Sequence, residues 1–352
     1  MIVDQVTKTD PIPRTRSAPQ GDPGMPTYFN ATLDKPAAVF LEICQQREWG
    51  FRLFDGTYVE LILFADNYWL LARSNSVLSE MLAKWLELLR LWGWNTPHEE
   101  LCFGTTLGDA MKVPVFSDGK EVKRVKRHIG FPALGCQITF DGRNGMELNS
   151  RIAKSWQAFG KFAGILCNRN APWGKRVAML GMLLESCLFW CSGSWMLDNR
   201  LLSKLNGVQG KMLRRMLGRK IEPSDTPEDY VIESNRTLKH LKKKHNFIDW
   251  DIRVLKHHFG WAGYVSRLRK TDPTRLTHKV LSYKDAQWLR LIESNNAGRQ
   301  LHGRNFRDWR WEQPLVRWAR SHYIDDWHTL ADDRAAWKGI LDEAALWWRH
   351  NR

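Results

Sequence analysis

One carboxylate stands between two apolar runs. Residues 56–64 and 68–72 are rich in aromatic and aliphatic side chains, and only Ala65, Asp66 and Asn67 separate them. Asn and Asp tolerate the left-handed backbone of a tight turn, so the segment reads as a β-hairpin with an Asp66–Asn67 turn. A carboxylate mounted there on two packed strands is a rigid ligand for a hard divalent cation, Mg2+ or Mn2+. Nucleotidyl transfer needs such a mount, because two ions must bridge the attacking and leaving oxygens. Taken alone, Asp66–Asn67 is more simply a good turn.

A second set of residues is cationic. Leu201, Leu205, Val208, Met212 and Met216 mark the buried stripe of a helix whose other face carries Lys204, Lys211, Arg214, Arg215, Arg219 and Lys220. Such a stripe suits phosphate contacts along a nucleic-acid backbone. Lys239, Lys242, Lys243 and Lys244 follow, then an Arg- and Trp-rich segment, 304–320. There Trp309, Trp311 and Trp318 could stack on unpaired bases, although tryptophans more often serve the core.

Composition agrees with a polyanionic partner. The 352 residues hold 53 Lys+Arg against 38 Asp+Glu, a net charge of +15, and the pI is near 9.7. A hydrophobic content of 43% with 19 Trp suffices for real cores and excludes a disordered chain. The apolar stretch 177–197 is interrupted by Glu185, Ser186, Ser192 and Ser194, so a core helix is expected and no membrane partner. Nothing at Met1–Asp4 looks like a secretory signal, and the six scattered cysteines read as buried reduced thiols, so an intracellular protein, nuclear or cytoplasmic, is expected.

The elements that must position these residues follow from periodicity. A helix is expected from about Thr27 to Gly50, and another over Leu78–Trp92 with Ser76 as its cap and Gly93 at its end. The basic run 120–128 reads as a loop or strand edge, and 134–140 as a strand followed by an Asp141–Gly142 turn. Beyond 146 the pattern is almost wholly helical, broken at Pro223–Pro227.

Taken in order, these segments resemble the reverse transcriptase of non-LTR (LINE-type) retrotransposons. Phe64-Ala65-Asp66-Asn67 is similar to the family's Tyr-Ala-Asp-Asp box, and Pro19-Gln20-Gly21-Asp22-Pro23 to its Gln-Gly-Asp-Pro box. Leu134-Gly135, Asp141-Gly142 and Arg151-Ile152 resemble the pattern leading from palm to thumb. Gly193-Ser194-Trp195, with Gln209, Arg214 and Arg215, resembles thumb elements, and the run 258–267 the signature that follows. The likeness spans about residues 14–269.

The resemblance implies an α+β fold. It predicts a partial reverse-transcriptase palm (a β-hairpin with helices) over 1–145, a helical thumb over 146–220 and a basic helical region over 221–352. The implied activity is RNA-directed DNA synthesis, with Asp66 as catalytic residue and metal ligand. Gln20, Gly21, Phe64, Ala65 and Asn67 would lie at nucleotide and template; Lys204, Lys211, Arg214 and Arg215 on the backbone of an RNA template and DNA primer. The cofactor would be Mg2+ or Mn2+. The pattern is incomplete: Asn67 stands where the family has a second aspartate, and no strand bearing the first carboxylate precedes Pro19. The expectation is therefore a truncated, catalytically impaired enzyme, its fingers and endonuclease encoded upstream. A non-enzymatic basic helical RNA- or DNA-binding protein is the alternative. A group II intron or retron-type enzyme fits the helical extension less well.

Overall fold

The structure, a computed structural model, describes residues 23–53, 56–106, 113–140, 144–220, 223, 226–271, 276 and 311–351. The expected sites at Gln20 and Gly21, the Asp141–Gly142 turn and Trp309 lie outside them. The chain is mixed α and β, mostly helical, with small two-stranded sheets. It divides into two compact units, residues 1–103 with 112–124 and residues 104–111 with 125–352.

In the first unit, α1 (Met25–Gln46) starts with proline in its first turn, where the missing N–H costs nothing. Its stripe of Ala37, Phe40 and Cys44 is buried with that of α2 (Asn75–Leu91), and Phe40 meets Trp85 edge-on at 5.2 Å. The expected cap Ser76 lies inside α2. Ser74 caps it instead, because Ser74 holds the extended backbone from which its hydroxyl accepts the Val77 N–H at 3.3 Å.

Short strands complete this unit. β1 (Phe51–Arg52) pairs with β2 (Tyr58–Val59), and β3 (Leu61–Phe64) with β4 (Asn67–Leu70). The expected strand over 56–64 is thus two strands serving two different partners. β5 (Cys102–Phe103), β6 (Phe116–Ser117), β7 (Lys120–Glu121) and β8 (Lys123–Arg124) follow; β5 runs parallel to β8, and β6 antiparallel to β7.

The second unit opens with a hairpin, β9 (Phe131–Ala133) and β10 (Cys136–Ile138). The expected single strand over 134–140 is corrected here. Leu134 and Gly135 have φ of 49° and 79°, the two positive angles that a tight hairpin turn of this hand requires. The helices are α3 (Gly145–Lys161), α4 (Ala163–Leu166), α5 (Trp173–Leu180), α6 (Ser186–Leu188), α7 (Asn199–Leu217), α8 (Pro227–Lys244), α9 (Trp250–Thr271), α10 (Gln313–Ser321), α11 (Trp327–Asp332) and α12 (Arg334–His350). A wide π-turn, Gly181–Glu185, joins α5 to α6.

One core runs from Leu148 to Trp348 and draws side chains from α3 and α7 as well as from α9 to α12. The described residues of 146–220 and of 221–352 therefore pack around a common interior. Trp318 is 1% exposed inside it, which removes it as a base-stacking residue, and half-buried Trp311 donates its indole N–H to the Gly193 carbonyl at 2.9 Å. The Trp337 indole N–H reaches the Phe259 carbonyl at 2.8 Å across α9, in space that a Cβ on Gly263 would fill.

A buried ion pair fastens the hairpin to α3. Arg151 Nε donates to Glu147 Oε1 at 2.5 Å, and both side chains are almost wholly buried. The same guanidinium reaches the carbonyls of Gly135 and Cys187, while Glu147 Oε2 accepts the Gln137 N–H at 2.6 Å. The cysteines differ from expectation: Cys102 and Cys191 are exposed, and Cys44 alone is fully buried.

Candidate nucleic-acid interface

The hairpin tip does not have the expected turn. Asn67 already belongs to β4, and the two turn residues are Ala65 and Asp66. Ala65 takes the left-handed backbone at φ 51°, a position that glycine fills without steric cost. Phe64, Asp66 and Asn67 are all exposed. The Asn67 amide donates to Asp66 Oδ1 at 3.1 Å.

A two-cation centre needs several carboxylates facing one point. Asp66 is met by an amide that brings no charge, and among the described residues no three His, Cys, Asp or Glu side chains gather where they could hold a metal ion. The residues at this tip do not fit such a centre.

The cationic helix is better furnished. Asp198 caps α7 by accepting the Leu201 N–H at 2.6 Å, and Gly218 ends it in the left-handed conformation at φ 60°. The expected stripe of Leu201, Leu205, Val208, Met212 and Met216 is buried. Between its caps α7 holds five cations, Arg200, Lys204, Lys211, Arg214 and Arg215, and no carboxylate. Lys204, Lys211 and Arg215, spaced by seven and four residues, share one exposed face. Arg214 stands beside them, half-buried.

Two neighbours hold that face in place. Lys204 donates to Asn149 Oδ1 and Arg215 lies 5.9 Å over the Phe159 ring, so α3 runs alongside α7 in the same direction. On the other flank Arg214 donates to Asn235 Oδ1 at 2.9 Å and Gln209 meets Lys242 at 3.4 Å, so α8 runs antiparallel. That register brings exposed Lys239 level with Lys211. Asn149, Asn235 and the placement of Lys239 escaped the sequence reading; polar residues at helical spacing give no signal until two helices are aligned.

Not every lysine of the second cluster is free for a ligand. Lys242 pairs with Asp249, which also accepts from Arg349 Nη2 at 2.6 Å. Burial pushes the Asp249 carboxyl up, but these two cations outweigh it and hold it below the usual carboxylate range. Gln209, fully buried, donates to the Ile248 carbonyl at 3.1 Å and accepts from the Trp250 N–H at 3.4 Å. Lys242 and Gln209 thus clamp α7, α8 and α9 together, leaving Lys239, Lys243 and Lys244 exposed.

No helix among the described residues is long and apolar enough to cross a membrane. No family model, no curated protein and no solved structure matches the chain.

Proposed function

We propose that this chain is a nucleic-acid-binding remnant of a non-LTR retrotransposon reverse transcriptase, with its polymerase chemistry impaired. The carrying observation is the outer face of α7, with five cations, no carboxylate and flanking helices that fix its direction. Lys204, Lys211 and Arg215 would meet successive phosphates of an RNA template and DNA primer, with Lys239 extending the track on α8. Contacts of this kind orient a strand without reading bases and draw much of their free energy from counterion release.

Polymerase chemistry is impaired at the hairpin tip. Mg2+ or Mn2+ would supply charge stabilisation for nucleotidyl transfer, but Asp66 with Asn67 offers half the charge of the motif it resembles. Each lost electrostatic partner commonly lowers such rates by roughly 10²–10³.

Photocrosslinking of the full chain to an RNA–DNA hybrid, with peptide mapping, tests the binding mode. Crosslinks are expected within residues 199–217 and 227–244. Crosslinks confined to other segments would overturn the assignment of this face.

A further inference from the structure

One face of α9 is aromatic and open. His257, Gly260, Trp261 and Tyr264 follow the i, i+3, i+4, i+7 spacing that puts residues on one side of a helix. Their neighbours set the rings. His257 Nδ1 meets the Ser192 hydroxyl at 3.0 Å, and its ring lies edge-on to Phe189 at 5.4 Å. Trp261 is half-buried against Gly193, where an added Cβ would lie 2.6 Å from the Trp261 Cβ. Tyr264 is 45% exposed and makes a shallow shelf with Trp261, their ring centroids 5.3 Å apart and their planes 31° apart. Among these rings Gly260 leaves a gap, since a Cβ there would meet nothing within 4 Å.

Charge selects the class of occupant. Arg253 stands one turn before His257, and Arg267 one turn after Tyr264. Arg253 shares its charge with Glu185 at 3.2 Å and Lys256 is paired with Asp342, whereas Arg267 meets the neutral Ala331 carbonyl at 2.8 Å. Asp251, the one carboxylate of α9, is fully buried. Flat rings bounded by arginines suit a strand that presents π faces on one side and phosphates on the other.

We infer that His257, Trp261 and Tyr264 form a stacking site for the unpaired bases of a single strand of nucleic acid, with Gly260 leaving room for a base and Arg253 and Arg267 beside the phosphates. Stacking of this kind tolerates any base, because each base has a π face.

The site is separate from the cationic face of α7. α9 joins α7 through the Trp250 N–H on Gln209 Oε1 at 3.4 Å and the Asp251 N–H on Asn206 Oδ1 at 3.0 Å. At about 100° per residue, Asn206 and Gln209 lie on the side of α7 away from Lys204, Lys211 and Arg215. The inference rests on reading the chain as a nucleic-acid binder, but it adds contacts to bases where α7 offers contacts to phosphates alone.

The test measures binding of the full chain to single-stranded oligothymidine and to an equally long strand of abasic sites, at matched salt, by fluorescence anisotropy. The two probes carry the same phosphates and differ in bases. The wild type should bind the base-bearing strand at least about fivefold more tightly, the lower end of what one stacked base contributes. Gly260→Leu fills the gap and Tyr264→Ala removes an exposed ring, so both should fold normally, lose that ratio and keep the abasic affinity. Tyr264→Phe should retain the ratio. In Lys211→Glu/Arg215→Glu both affinities should fall while the ratio persists, which separates failure of this site from failure of the α7 face. Equal affinity for the two strands in the wild type, or a ratio that survives both Gly260→Leu and Tyr264→Ala, would overturn the inference. So would variants that split a wild-type oligomer instead of lowering the ratio, since the face would then be a contact between copies.

Discussion

The Asn67 side-chain amide donates a hydrogen bond to Asp66 Oδ1 at 3.1 Å, at an exposed hairpin tip. The carboxylate that would have to hold a metal is engaged by a neighbour without charge. No template-dependent product is expected from this chain in a primer-extension assay with Mg2+ or Mn2+. Asp66→Ala, an exposed change away from any core, should alter stability by no more than about 0.5 kcal/mol. Extension by the wild type that Asp66→Ala abolishes would show the tip to be an active site after all.

Ala65 bears the left-handed backbone of the same turn. A side chain there costs roughly 1–2 kcal/mol, offset in part by the extra freedom glycine has when unfolded. Ala65→Gly should stabilise the first unit by about 0.5–1 kcal/mol in denaturant titration. A loss of stability would mean that the turn is not built this way.

Arg151 is the hub between the β9–β10 hairpin and α3. Removing it leaves the buried Glu147 carboxyl without its partner, and the Gly135 and Cys187 carbonyls short of a donor. Arg151→Met should cost about 3–5 kcal/mol. Adding Glu147→Leu should recover much of that loss, since the unpartnered buried carboxyl goes with it. Equal or greater instability in the double variant would argue against a dry pair.

His258 is fully buried, and burial depresses its pKa to about 4. Its ring packs 4.7 Å from Trp311. A histidine kept neutral in the fold but titrating near 6.5 when unfolded contributes stability that is complete above 6.5. That contribution is lost as pH falls through 6.5 toward 4. The linkage amounts to about 3 kcal/mol over that window. His258→Phe should flatten the acid limb of stability against pH measured by urea unfolding. An unchanged limb would mean that His258 is not buried neutral.

What was legible in the sequence was periodic. The α7 stripe from Leu201 to Met216 is buried as its spacing requires, because a helix with one apolar face has a single way to pack. Gly93 stands where α2 ends, as expected, since a left-handed residue stops a helix. The short strands were less legible. Glu60 alone separates β2 from β3, and the two strands differ in partner, which alternation cannot specify. The Leu134–Gly135 turn looked like strand because leucine rarely sits at positive φ. At the candidate interface the cations themselves were readable. Their alignment beside Lys239, and the diversion of Lys242 to Asp249, depend on how α7 and α8 pack.

Nucleic-acid binding by this chain turns on the outer face of α7. The most direct test is equilibrium binding of the full chain to an RNA–DNA hybrid at increasing salt, comparing the wild type with Lys211→Glu/Arg215→Glu. Salt-sensitive wild-type binding is expected, with a slope of about −3 in log affinity against log salt. The double variant should bind at least about tenfold more weakly, with a slope shallower by about 2, while folding normally. Equal affinity and an equal slope for the two proteins would contradict it.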